Sequence, residues 1–429
     1  MTGQWEWTTL REVLVPQPNK KPLQQGWSPK CIPSPSPDSE TWGVLKTTAI
    51  QPGRFDETQN KELPATLAPR PAIEVQQGDL LMTCAGPRSR CGIPALVRST
   101  RPRLMMSGKM YRFRPVEGVD SAFLEKWLLS AEAQARIDAM KTGISDSGLN
   151  LTQDRFLALP VPMPGMEEQR RIVDIVEEHF ARLDVAEGSL DVADKRLEGL
   201  VESAIQLCLD WGSVRQVELR SLLAEPLANG RSVPTREDGF PVIRLTAIRD
   251  GWVDPLQRKG GDWSRNDAKK WLIRPGDFLL SRGNDSLGLV GRGGLVLDDP
   301  GEVAFPDTIV RLRPNREKID LDYLSMLWNS RLVRRQIESR VRTTAGIYKI
   351  NQEALKSIEI PVPSLEVQGR LASSIGGVRL AGRRIAGVVE AERRRTAALR
   401  RAILTAAFAG RLSGRSTDTE VIEELVASR

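Results

Sequence analysis

The sequence predicts an α+β chain: two tandem-repeated mixed α/β domains joined by two long helices that form an antiparallel coiled coil. Three observations predict it. The chain repeats itself at a spacing close to 200 residues, each copy is strand-rich before it turns helical, and each copy ends in a heptad-patterned run.

The repeat comes first, because missing one misassigns the whole fold. Val44-Leu-Lys-Thr-Thr-Ala-Ile50 matches Val242-Ile-Arg-Leu-Thr-Ala-Ile248, 198 residues on. Gly78-Asp-Leu-Leu-Met-Thr83 matches Gly276-Asp-Phe-Leu-Leu-Ser281 at the same offset. Tyr111-Arg-Phe-Arg-Pro115 pairs with Val310-Arg-Leu-Arg-Pro314, and Val119-Asp with Ile319-Asp. Residues 151–172 then run ungapped against 350–371, with Gln169/Gln368 and Arg171/Arg370 identical. Islands in one order at a nearly constant offset mark a tandem duplication.

Within each copy, β-type runs such as Phe240-Pro-Val-Ile-Arg-Leu and Ile309-Val-Arg-Leu precede an amphipathic helix, about residues 120–140 and 320–341. The Gly-Asp pairs at Gly78 and Gly276 read as tight turns feeding strands. Residues 16–37, rich in Pro, Ser and Lys, read as a loop or insertion specific to the first copy.

Prolines at 160, 162 and 164, and at 361 and 363, keep the chain extended before each long helix. Glu167 and Glu168, or Ser364 with Glu366, then suit a helix start. In the first run Val176, Leu183, Leu190, Leu197, Ala204 and Trp211 recur every seven residues. His179, Ala186, Ala193, Leu200 and Leu207 fill the position three residues on, with His179 a packed seam member. The second seam reads Ile375, Val378, Gly382, Ile385, Val389, Thr396, Leu399, Ile403 and Ala406, interrupted by Glu392. The simplest satisfied arrangement packs the two helices against each other. The alternative folds each back on its own domain. The resulting boundaries are 1–159 and 213–360 for the globular domains, 160–212 and 361–415 for the helices, and 416–429 for a C-terminal tail.

Composition narrows the function. The formal net charge is +7 and the pI near 9.3, compatible with a polyanionic partner. Hydrophobic residues make up 40% and charged residues 27%, the balance of a soluble globular protein. No run is long enough to span a bilayer, and the Met-Thr-Gly-Gln-Trp-Glu-Trp start lacks a signal peptide pattern, so a cytoplasmic location and no membrane partner are expected. Cys31, Cys84, Cys91 and Cys208 form no CxxC pair and read as plain thiols. A single histidine, His179, excludes histidine triads and multi-histidine metal sites. No phosphate loop and no Asn-Pro-Pro-Tyr type motif occurs. The parts for catalysis are missing.

At this point the residues resemble a known family, the specificity subunit of type I restriction–modification systems. The Trp5-Glu-Trp-Thr-Thr-Leu start, the Gly-Asp turns, and the Pro-x-Pro…Glu-x-Gln-x-Arg segments at Pro162 and Pro361 carry the resemblance. So does the ending, Leu399-Arg-Arg-Ala-Ile-Leu-Thr-Ala-Ala-Phe-Ala-Gly-Arg-Leu412. Asp210-Trp211-Gly212 departs from the family's Phe-x-Gly. The resemblance implies a non-catalytic subunit that binds double-stranded DNA, each half reading one half of a split target. It implies that the long helices set the unread spacer and dock two adenine methyltransferase subunits, which two motor-nuclease subunits join. S-adenosylmethionine, ATP and Mg would be bound by those partners, so no cofactor or metal is expected in this chain. A tandem scaffold that bridges proteins without touching DNA, and a complete enzyme, are the competing readings.

Base reading needs donors and acceptors on loops that can enter a groove. After the Gly-Asp strands lie Arg88, Ser89 and Arg90 in the first copy, and Arg282, Asn284, Asp285 and Ser286 in the second. Before the Pro-x-Pro segments lie Ser147 and Asn150, matched by Tyr348 and Lys349. Lys46 and Arg244 align on the shared Thr-Ala-Ile strand and keep a positive charge, which points to phosphate contact. Arg383, Arg384, Arg393, Arg394, Arg395, Arg400 and Arg401 either track phosphates, carry partner contacts or coat a solvated helix face.

Overall fold

The computed structural model describes residues 5–17, 20–143, 148–209, 214–249, 251–344, 347–412, 414 and 418–427. Ser147, Asp210, Trp211 and Gly212 lie outside them, as do the side chains of Leu207, Cys208 and Arg383. The chain is mixed helix and strand with two long helices, Met166–Leu209 and Leu365–Phe408, and divides into two units. Met1–Leu190 and Ala391–Arg429 make the first, and Asp191–Glu390 the second, so both divisions fall inside a long helix.

In the first unit, strands Gln24–Gln25, Met110–Phe113, Leu80–Thr83 and Pro94–Leu96 form an antiparallel sheet in that order. Leu80, Met82, Phe113, Leu124 and Trp127 form its core. In the second unit the order is Leu223–Asn229, Ile309–Pro314, Phe278–Ser281, Gly293–Leu295 and Gly251–Trp252. Phe278, Leu280, Val310, Tyr323 and Trp328 pack beneath it. In each unit the first strand pairs antiparallel with the Pro-x-Pro segment, Glu6–Thr9 with Pro160–Met163 and Gln216–Glu218 with Glu359–Pro361. Proline lacks an N–H, which restricts it to such edges.

The Gly-Asp turns are built alike. Gly78 and Gly276 sit at φ +88° and +86°, a region open to glycine. The following aspartate is buried. Asp79 accepts the Gln76 N–H and pairs with Arg114 at 2.7 Å, with the buried Arg112 3.7 Å away. Asp277 accepts the Arg274 N–H and pairs with Arg313 at 2.7 Å. Burial lowers the pKa of Arg112, while Asp79 pulls it back up.

The repeated glutamine explains how each long helix is seated. Gln169 Nε2 donates to the carbonyls of Pro164 (2.9 Å) and Gly118 (3.1 Å), and its Oε1 accepts the Asp120 N–H at 2.8 Å. Asp120 in turn caps helix Ser121–Leu129 through the Ala122 and Phe123 N–H groups. Gln368 donates to Pro363 (2.8 Å) and Lys318 (3.3 Å), and accepts the N–H of Asp320, which caps Leu321–Trp328. One buried amide thus joins the proline segment, the long helix and the cap of a packed helix.

Three expectations need correction. The single helix at 120–140 is two, Ser121–Leu129 and Ala131–Met140, because Ser130 adopts extended angles and caps the second through the Ala133 N–H. The same break separates Leu321–Trp328 from Arg331–Arg340. Residues 16–37 are not merely a loop, since Gln24–Gln25 takes the sheet edge beside Met110–Phe113 and Leu23 is fully buried. The seams are narrower than the heptad count suggests. Val176, Val389 and Ile403 are buried, and Leu183, Leu190, Leu197, Ala204 and Leu399 half-buried. Ile385, however, is 48% and Leu200 60% exposed. In the second helix the covered column is Ile375, Gly382, Val389, Thr396 and Ile403. Ile385 shares the other column with Glu392, whose carboxylate is too costly to bury unpaired, so that column is open around these two while Ala406 further along it is fully buried.

Within the first unit, Ile172, Val173 and Val176 pack with Ala402, Ile403, Ala406 and Ala407, and with Ile422 of the C-terminal helix Asp418–Ala427. Within the second, Ala204 and Ile205 join Ala372 and Ile375, and Leu197 lies against Gly382, where an added Cβ would come within 3.3 Å of it.

Two outcomes test this account. Asp79→Ala strands the Arg112 charge in a buried site, and removing one partner of a buried pair costs about 3–5 kcal/mol; urea unfolding of the full chain should show a loss of that order. Burial, with nearby Cys91 adding to it, pushes the Cys84 thiol up to about 12. A thiol raised in the folded state stabilises below its unfolded value of about 8.5 and loses that stabilisation as pH rises toward the folded value. Stability should therefore fall more between about pH 8 and 10 in the native chain than in Cys84→Ala; equal falls would refute the assignment.

Candidate nucleic-acid interface

Two stretches far apart in sequence meet in each unit. In the first, Ala85–Gly86, leaving strand Leu80–Thr83, pairs antiparallel with Leu149–Asn150, placing Asn150 opposite Ala85. Thr142 bridges Asn150 from the other side. In the second, Gly283–Asn284 pairs with Ile347–Lys349, with Asn284 opposite Tyr348 and Gly283 opposite Lys349. Arg342–Thr344 completes a three-stranded sheet. The segment after the Gly-Asp strand and the segment before the Pro-x-Pro run are neighbours both times.

The individual residues separate into exposed groups and braces. Ser89 and Asn150 are exposed. Arg88 pairs with Asp138 at 2.6 Å, and the Lys141 ammonium donates to its carbonyl. Arg90 is a brace. Its guanidinium donates to the carbonyls of Thr47 (2.6 Å) and Ile50 (3.1 Å) and to Gln51 Oε1 (3.1 Å), which consumes the donors a base reader needs. In the second unit Asp285, Ser286 and Lys349 are exposed. Asn284 Oδ1 accepts the Ser286 N–H, and the half-buried Arg282 donates to the Asp307 carbonyl at 3.4 Å. Tyr348 packs partly against the core.

Lys46 and Arg244 do not lie on strands. They precede 3-10 turns, Thr47–Ala49 and Leu245–Ala247, in which the Ala49 and Ala247 N–H groups donate back to them. The Lys46 and Arg244 N–H groups still donate across, to the Gln59 (2.9 Å) and Gln257 (2.8 Å) carbonyls. Arg244 is exposed and donates to the Arg258 carbonyl, and Lys46 is half-buried. Of the arginines on the second long helix, Arg400 pairs with Asp184 and Glu187, and Arg395 with Glu423 at 3.3 Å, so these two are occupied by partners of their own unit.

The sequence reading missed Arg334 and Arg342. Arg334 holds the loop after Asn284 by donating to the carbonyls of Val290 (2.5 Å) and Leu287 (3.3 Å), and burial lowers its pKa. Its place in an amphipathic helix gave no hint of this. Arg342 lies opposite Lys349, and only the strand register reveals that pairing. Among the described residues no group of His, Cys, Asp or Glu could hold a metal ion, and no helix is long and apolar enough to cross a membrane. The exposed groups are donors and acceptors of the kind that contact phosphates and base edges.

Comparison with known proteins follows the same line. Residues 216–375 match the family model described as the type I restriction modification DNA specificity domain. Over 207 residues the chain is 33% identical to the EcoEI specificity subunit of a type I restriction enzyme from Escherichia coli, covering 48% of this chain and 34% of that subunit. It therefore spans about a third of that relative's length. It is 22% identical over 419 residues to the EcoKI specificity subunit of Escherichia coli strain K12, covering 90% of this chain and 88% of that one. A chain from a solved structure concerning complex assembly and conformational transition of the type I R-M system matches 96% of this chain and 99% of its own length, at TM-score 0.59 and 20% identity, a likeness of fold. Residues 216–375 are thus similar to the type I restriction modification DNA specificity domain.

Proposed function

We propose that the chain is the DNA sequence-specificity subunit of a type I restriction–modification complex and is itself non-catalytic. The observation that carries this reading is the twofold construction of one interface. In both units the segment after a turn-fed strand pairs with the segment before the Pro-x-Pro run, and exposed polar residues lie on or beside those segments, Ser89 and Asn150 in one and Asp285, Ser286 and Lys349 in the other. Two such surfaces suit a bipartite DNA target, each reading one half. The globular domains would be residues 1–159 and 213–360, copies of one ancestral module.

The long helices, 160–212 and 361–415, would form an antiparallel coiled coil that sets the unread spacer and docks two methyltransferase subunits. Support comes from the packing inside each unit, where the beginning of one helix meets the end of the other. Two motor-nuclease subunits would complete the assembly in the cytoplasm. S-adenosylmethionine, ATP and Mg would be held by those partners, and this chain would contribute position and sequence choice.

The test is a methyl-transfer assay on the full chain with and without its methyltransferase subunit, followed by mapping of the methylated sites. The chain alone should transfer nothing. In the complex, replacing residues 1–150 with the equivalent region of a relative should change one half-sequence and preserve the other half and the spacer. Transfer by the chain alone, or change in both halves together, would contradict the proposal.

A further inference from the structure

The sheet Gly283–Asn284, Ile347–Lys349 and Arg342–Thr344 carries an arrangement that isolated protein chemistry does not favour. Arg342 and Lys349 stand directly opposite each other on antiparallel strands. Side chains at such positions share one face with Cβ atoms about 4.5–5.5 Å apart, and like charges placed there repel. Both residues are exposed, and neither has an ion pair or side-chain hydrogen bond among the described residues. Glu338, four residues before Arg342, is paired with Arg334.

The rest of the sheet keeps this pair open. Successive residues alternate between faces, so Tyr348 and Thr343 lie on the face opposite to Lys349 and Arg342. Tyr348 packs against the core, which turns the cation pair toward solvent. On the third strand Gly283 lies opposite Lys349, and an added Cβ would come within 3.2 Å of the Lys349 Cγ. A glycine there leaves the cation face low and accessible. The corresponding pair in the first unit is Thr142 opposite Asn150, both uncharged.

Resting on the specificity-subunit reading above, we propose that Arg342 and Lys349 form a cross-strand cation clamp that holds one backbone phosphate of the DNA bound by the second unit. The two charges repel in the free chain, and a single phosphate between them attracts both and offsets that repulsion. The clamp anchors the hairpin on the duplex without reading sequence, and the neighbouring Asn284–Ser286 segment is left to contact bases.

The experiment uses the complex of the full chain with its methyltransferase subunit and a random-sequence duplex of about 30 base pairs. Affinity is measured against salt concentration for the native chain and for the double variant Arg342→Gln, Lys349→Gln. Loss of one phosphate contact should flatten the slope of log affinity against log salt by about 0.9, with methylated sequences unchanged. The double variant should also melt no lower than the native chain at low salt, because its repulsion has been removed. An unchanged slope, a flattening of about 1.8 that marks two separate phosphates, or an altered base in the methylated sequence would each overturn the clamp. So would a lowered melting temperature. Salt-dependent binding by the native chain with an unaffected double variant defeats the clamp alone. Failure of the native complex to bind duplex defeats the specificity-subunit reading and the clamp with it.

Discussion

A 44-residue helix is about 66 Å long and carries an apolar stripe that its own domain cannot cover. That constraint organises the molecule. Each long helix begins in one unit and ends in the other, and within each unit the start of one helix is covered by the end of the other. Such burial requires that each helix leave its globular part in a fixed direction. Gln169 and Gln368 supply this, since their buried amides bind the proline segment, the loop before a cap, and the capping residue itself. A buried amide with all three bonds made is directional in a way that apolar packing is not.

What the two units share and where they differ follows from this division of labour. The identical or near-identical positions hold backbone: Gly78/Gly276 in positive-φ turns, Asp79/Asp277 with Arg114/Arg313, Asp120/Asp320 as caps, and the paired glutamines. The surfaces diverge. In the first unit Arg98, Glu125, Lys126 and Glu177 form an ion network around a fully buried Glu125. The aligned region of the second unit holds Leu297, Ser325, Met326 and Gly376, with Leu297 exposed. The candidate interface diverges in the same way, from Thr142 and Asn150 to Arg342 and Lys349.

Much of this was legible in the sequence, for physical reasons. The Gly-Asp turns, the proline stops and the long helices depend on local chemistry or long periodicity, and they could be read directly. The split at Ser130 and Ser330 was hidden because a serine between two amphipathic stretches reads as one more polar position. Arg90 looked like a reader because composition cannot distinguish an arginine aimed at solvent from one bound to the Thr47 and Ile50 carbonyls. Ile385 looked buried because a heptad count treats Glu392 as a single interruption, although the two share one column. The Arg342–Lys349 pairing depends on strand register, which no local pattern encodes.

The central claim, that two similar units read two separated half-sequences, is tested most directly by mapping methylated adenines across the host genome with this gene intact and with it deleted. The account predicts that one two-part motif, asymmetric and interrupted by a gap of constant length, loses its methylation on deletion and regains it when the gene is restored. Loss of a continuous motif, or an unchanged methylation map, would contradict it.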